Sequence, residues 1–172
     1  MHRIFYAISG AALLVSVLAC GVGSSNEPTN DETSSTGTII ANDKLPALGQ
    51  VVRDGKFEFV VNKINCGETS IGLSLRAQGQ YCIVNLNVKN IGNEAKAFST
   101  FNQLAFDDQN RKFEADGLAS SLASENVGIW DNINPGNGVQ ANLVFDVPTD
   151  VTLTHLKLHD SAFSSGVEVG LK

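Results

Sequence analysis

Every second residue from Cys82 to Val88 is apolar, which sets Cys82, Val84, Leu86 and Val88 on one face of an extended chain. A repeat of two is the pleat of a β-strand with one buried side. The same period runs through Lys56-Phe57-Glu58-Phe59-Val60-Val61, then through Val139, Ala141, Leu143, Phe145 and Val147. It returns at Leu156 and Leu158 and again at Val167, Val169 and Leu171, with weaker candidates at residues 50–53, 97–98, 103–106 and 111–113. One irregularity stands out: Phe57, Phe59 and Val61 share a face, while Val60, Ile64 and Cys66 share the opposite one. A bulge near Asn62 and Lys63 that switches the phase accounts for this, with a strand covered on both faces as the alternative.

Turn chemistry separates the strands at Arg53-Asp54-Gly55, Asn90-Ile91-Gly92-Asn93, Asp107-Asp108-Gln109-Asn110, Asn134-Pro135-Gly136-Asn137 and Pro148-Thr149-Asp150. Each supplies Gly, Asn, Asp or Pro where the backbone must reverse. Short strands, frequent turns and no long amphipathic helix predict an all-β fold, an antiparallel β-sandwich. Residues 115–124, with Leu118 and Leu122 four apart, are read as one short helical connection. The domain is expected at residues 48–172, about 125 residues, enough for one core and too few for two.

Ahead of it, Met1-His2-Arg3 and an uncharged apolar run from Ile4 to Ala19 have the form of a secretory signal. A helix of about sixteen residues spans roughly 24 Å, short of the ~30 Å hydrocarbon core, so a transmembrane reading is disfavoured. Val17-Leu18-Ala19-Cys20-Gly21 reads as a lipobox. In that reading residues 1–19 are a lipoprotein signal peptide and Cys20 is the lipidation site, its thiol taking a diacylglyceryl thioether. An ordinary secretory cut after Ala19 is the alternative. Because two or more acyl chains anchor stably where one holds marginally, the expected location is the extracytoplasmic face of the cell membrane. Residues 20–47 then form the lipidated cysteine and a flexible linker, too polar to offset chain entropy by burial. Gly21-Val22-Gly23-Ser24-Ser25 is part of that linker and not a phosphate loop, since no strand precedes it and no helix follows.

Charge narrows the partners. Of twelve Lys and Arg, Arg3 falls in the leader, leaving eleven against eighteen Asp and Glu. An acidic chain repels phosphate backbones and anionic headgroups, so nucleic acid and electrostatic membrane contact are both disfavoured. The membrane is expected as a partner only through Cys20.

With Cys20 assigned to lipid, Cys66 and Cys82 remain in an oxidising compartment and are read as a disulfide, with two buried thiols as the alternative. The bond would pin the excursion at residues 67–79, which carries Arg76 and Gln78. His155 and His159 lie four apart on an expected strand, but Lys157 shares their polar face and no cysteine completes a metal site. They are read as solvent-facing, with a local His159–Asp160 hydrogen bond. Asp107-Asp108-Gln109-Asn110 lacks the Gly and distal Glu of a calcium loop and is read as a hairpin turn. No nucleophile elbow, carboxylate pair or Walker loop is present, so no catalytic residue, metal or cofactor is assigned. Trp130 and Phe101, in connecting regions beside polar residues, are with Arg76 the candidates for a contact surface; core packing is the other use for Trp130.

Several segments resemble the bacterial 4352 domain-of-unknown-function family. They are Gly55-Lys56-Phe57-Glu58-Phe59, the stretch from Gly79-Gln80-Tyr81-Cys82 to Val88-Lys89-Asn90, Asn134-Pro135-Gly136 leading to Val144-Phe145-Asp146-Val147-Pro148, and Leu158-His159-Asp160-Ser161. The resemblance implies an immunoglobulin-like sandwich, similar to actinobacterial lipoproteins and related to a small secreted mycobacterial antigen. It supplies no activity and no catalytic residues. Cys66 and Cys82 match a cysteine pair of the actinobacterial branch, which supports their pairing. The expectation is a non-enzymatic binding module meeting an unknown protein or cell-wall partner through residues 67–79 and 118–132. A structural envelope protein without a ligand, and a hydrolase with a scattered site, are the alternatives.

Overall fold

The computed structural model describes residues 44–124 and 132–172. In chain order the strands are β1 (Val51–Asp54), β2 (Phe57–Ile71), β3 (Leu75–Asn90), β4 (Lys96–Ala97), β5 (Leu104–Asp107), β6 (Lys112–Glu114), β7 (Asn132–Ile133), β8 (Gly138–Val147), β9 (Leu153–Leu158) and β10 (Val167–Gly170). A 3-10 turn occupies Thr100–Asn102 and a short helix, α1, spans Gly117–Ala123. One antiparallel sheet runs β1-β2-β3-β8, a second β10-β9-β5-β6, and β4 pairs with β7.

The alternating sets face each other across the interior. Phe57, Phe59 and Val61 of β2, Val84, Leu86 and Val88 of β3, and Leu143 and Phe145 of β8 are buried against Ala105, Leu156, Leu158 and Val169 of the second sheet. Phe57, Phe59 and Phe98 form an aromatic cluster with centroids 6.0–6.2 Å apart. Full burial of such side chains contributes about 1.5–3 kcal/mol each. The register of β2 on β3 shifts between Val61 and Lys63, so the phase switch is a bulge. Ile64 beyond it packs against the same core.

The stretch at residues 67–79 is not a loose excursion. β2 and β3 stay paired as far as Ser70 with Arg76 and Ile71 with Leu75, and only Gly72-Leu73-Ser74 turns, Gly72 taking φ 61°. Burial on the outer face explains the extension. Ile71, Tyr81 and Val144 pack with Ala119 of α1 into a second, smaller core, joined by Leu75, Ala77, Ile83 and Ala123. Val144 is therefore buried although it points away from the main interior.

Helix α1 also covers the edge of the first sheet. Asp116 caps it, accepting from the Ala119 amide at 2.9 Å, and the Asp116 amide donates to the Val144 carbonyl at 2.8 Å. The Ser120 hydroxyl accepts from the Val144 amide at 2.9 Å, and Ser124 Oγ accepts from the Asn142 amide at 2.9 Å. Unpaired amides and carbonyls of an edge strand are thus satisfied by helix side chains and backbone rather than left open.

Buried polar side chains fasten the turns. Asn90 donates to the Glu94 and Ile133 carbonyls, each at 2.7 Å, and accepts from the Gly92 amide. Gln103 donates to the Ser99 and His159 carbonyls and accepts from the His159 amide. Asp160 accepts from the Lys56 amide at 2.6 Å and pairs with Lys96 at 3.1 Å. Gly55, at φ 54°, makes that approach possible, since a Cβ there would fall 2.1 Å from the Asp160 carboxylate.

Candidate functional site

The helix that covers β8 is turned opposite to the usual amphipathic arrangement. Gly117, Ala119 and Ser120 face inward, small enough for the backbone to approach the sheet, and the two leucines face solvent. Leu118 is 56% and Leu122 57% exposed. Phe101, on the 3-10 turn and 49% exposed, lies over Gly117, where a Cβ would come within 2.3 Å of its ring. An apolar corner results, built from Phe101, Leu118 and Leu122.

A second surface lies on the outward side of the first sheet, where β2, β3 and β8 present Asn62, Asn85 and Asn142 in a connected row. Asn62 donates to Asn85 Oδ1 at 2.8 Å, Asn85 donates to Asn142 Oδ1 at 2.8 Å, and Asn142 donates to the Ala123 carbonyl. Gln140 joins by donating to Asn85 Oδ1 at 3.2 Å. Beside the row is an open depression of about 420 Å³ lined by Glu58, Val60, Asn87, Lys89, Gly138 and Gln140, with Val88 and Val139 beneath. The register sets Val60, Asn87 and Gln140 side by side and Glu58 level with Lys89 and Gly138. Glu58 is paired with Arg53 at 2.6 Å.

The residues expected to form the contact surface are only partly gathered. Phe101 belongs to the apolar corner. Arg76 sits on β3 of the ribbon, exposed, opposite Ser70 and between Leu75 and Ala77, whose side chains turn toward the outer core, so it points away from them. Trp130 and Cys20 lie outside the described residues. Cys66 and Cys82 sit directly opposite each other in the β2–β3 ladder and are disulfide-bonded, with Cα atoms 4.0 Å apart.

The histidine reading is corrected. His155, half-buried, stacks on Phe106 with centroids 4.8 Å apart and planes 4° from parallel. His159 falls beyond the end of β9, with Nδ1 3.2 Å from the Ser164 carbonyl and Nε2 buried. The two rings therefore do not share a solvent face. Asp160 turns to Lys56 and Lys96 instead of His159 because those groups complete its hydrogen bonds. In the β5–β6 turn the Asp107 carboxylate is consumed by the amides of Gln109 and Arg111 and by the Arg111 guanidinium at 2.6 Å. Burial works to raise its pKa, but these donors and the Arg111 charge hold it below the ordinary carboxylate value. Among the described residues no group of three His, Cys, Asp or Glu is placed to hold a metal, and no helix is long and apolar enough to cross a membrane.

The carboxamide row was not among the expected sites. Its signal is present in the outward residues of three strands, amides where charges are the commoner solvent-facing choice. Only the register of β2, β3 and β8 makes those residues neighbours.

Fold and surfaces together define a class: an immunoglobulin-like antiparallel sandwich without a recognisable catalytic constellation among the described residues. More particularly, the chain belongs to the family described as a domain of unknown function, DUF4352, whose model matches residues 46–169. Solved structures share the fold at low identity. The yjhA protein from Bacillus subtilis superposes with a TM-score of 0.58 at 12% identity, covering 74% of this chain and 100% of that one. The secreted protein MPT63 from Mycobacterium tuberculosis gives 0.53 at 10% identity, covering 74% and 98%. A conserved hypothetical protein from Bacillus anthracis gives 0.50 at 19% identity, covering 72% and 96%. No curated protein matches the chain.

Proposed function

We propose that the chain is a lipid-anchored extracytoplasmic interaction module, held to the membrane through Cys20 and docking a protein partner by the α1 corner. The observation that carries this reading is the reversed helix. Burying Gly117, Ala119 and Ser120 while exposing Leu118 and Leu122 beside Phe101 concentrates apolar surface where a surface helix ordinarily puts polar residues. A complementary apolar patch on a protein partner would recover that surface from water. The reading is of a binding module, with Asp107 engaged in its turn, Asp160 with Lys56 and Lys96, and His155 in its stack on Phe106.

Two measurements test the reading. A photoreactive amino acid at Leu118 or Leu122 in intact cells should give a discrete crosslinked species that the same probe at Asp150 does not; equal patterns at all three sites would sink the docking corner. For the anchor, Cys20→Ser should abolish fatty-acid labelling and release the protein to the medium. Unchanged labelling would overturn that part.

A further inference from the structure

We propose that the outward face of the β2–β3–β8 sheet binds a neutral polyhydroxylated chain, a glycan strand, along the row Asn62, Asn85, Asn142 and Gln140 and in the depression at Asn87. This surface is separate in its chemistry from the apolar corner and does not depend on it.

A carboxamide carries both a donor and an acceptor and no charge, the same pairing that a sugar hydroxyl or acetamido group presents. The row is oriented before any ligand arrives. Asn85 Oδ1 already receives Asn62 and Gln140, Asn85 in turn donates to Asn142, and Asn142 is held by the Ala123 carbonyl. Each amide group so fixed keeps further hydrogen-bonding capacity, and a fixed array loses little rotamer entropy on binding. Asn87 has no hydrogen bond from its carboxamide among the described residues, and it stands in the middle of the depression between Val60 and Gln140.

Shape points the same way. The absence of a side chain at Gly138, level with Lys89, leaves the depression open at its β8 side. A volume near 420 Å³ lies in the range of small-molecule sites and accommodates about one or two sugar rings. The row crosses three strands from β2 to the end of α1, so a chain longer than the depression can continue along it. Glu58 is satisfied by Arg53, which leaves Lys89, level with Glu58, and Lys63, level with Asn85, as positive charges beside an otherwise uncharged row. The carboxamides themselves favour neither sign of charge, and the apolar side chain among them is Val60 rather than an aromatic ring, so binding of a short oligomer is weak and rests on hydrogen bonds.

The test uses the full chain in detergent, isotope-labelled, titrated with a soluble N-acetylglucosamine hexamer, the neutral probe. The side-chain amide resonances of Asn85, Asn87, Gln140 and Asn142 should shift together and saturably. Asn87→Ala combined with Gln140→Ala should weaken binding about tenfold or more, the loss of roughly two net hydrogen bonds. Val60→Arg should abolish it by filling the floor. Leu118→Ser should leave it unchanged and show that the response is not a property of the apolar corner. Three results would overturn the proposal: no saturable shifts on this face, equal affinity in the double variant with a native-like spectrum, or shifts with an extended peptide but not with the oligosaccharide.

Discussion

At the scale of single residues the turns depend on a few buried polar groups whose partners are distant in sequence. Asn90 is fully buried and serves the Glu94 and Ile133 carbonyls and the Gly92 amide at once. Asn90→Ala leaves those groups unpaired in the interior and is expected to cost about 2–4 kcal/mol, read as a lower denaturant midpoint at unchanged slope. Asp160 carries a pH signature. Burial tends to raise its pKa, but the Lys56 amide and the Lys96 ammonium outweigh that and hold it below 3.8. A carboxyl whose folded pKa is depressed contributes stability above its unfolded pKa and loses it as pH falls through the folded value. Asp160→Asn should therefore be less stable than the parent at neutral pH, with the gap closing below about pH 4, as thermal unfolding across that range would show. These roles were not legible in the sequence. Asp160 looked like a neighbour of His159, whereas its true partner Lys56 is 104 positions away and is reached only because Gly55 leaves room.

Elements were legible where alternation was clean and missed where it was not. The inward sets of β2, β3, β8 and β10, and the bulge after Val61, follow directly from period two. The ribbon beyond Cys66 escaped because Gly67, Glu68, Thr69 and Ser70 show no alternation, with shifts at Cys66/Glu68 and Glu68/Ser70 breaking the register. In α1 the element was foreseen but its attachment was not: nothing local in Ser120 and Ser124 says that their hydroxyls receive the amides of β8. Ser120→Ala removes the acceptor for the Val144 amide and should cost about 1–3 kcal/mol. Adding Ser124→Ala frees the Asn142 amide as well, and the double variant should aggregate on mild heating, followed by light scattering, as an uncovered strand edge does. The Cys66–Cys82 bond closes a separation of 16 residues. Replacing both cysteines by serine should cost about 3 kcal/mol on the chain-entropy model and open the 67–79 ribbon to proteolysis before the rest of the domain.

For the whole molecule, the sandwich was readable as a class because each strand announced its buried side, but which strands shared a sheet was not, since β3 meets β8 at separations of 49 to 67 positions. That long-range pairing is also what assembles the carboxamide row, so surface chemistry came into view only with topology. The side of the sandwich where β1 and β10 lie near each other is closed by the segment just before β1. There the Gly170 amide donates to the Pro46 carbonyl at 2.7 Å, the Gly49 amide to Val61 at 2.8 Å, and Gln50 Oε1 accepts from the Ala47 amide. Leu45 rests against Gly170, with Cβ-to-Cβ spacing of 3.6 Å for a side chain placed there. A chain begun at Leu48 loses the Pro46 acceptor and the Leu45 contact while keeping every strand. It should fold, but be less stable than one begun at Lys44 by about 1–2 kcal/mol, with a melting temperature a few degrees lower. Faster hydrogen exchange at the Gly170 amide, with that of β3 unchanged, would place the loss at this seam; equal melting of the two chains would show that the segment adds nothing to the closure.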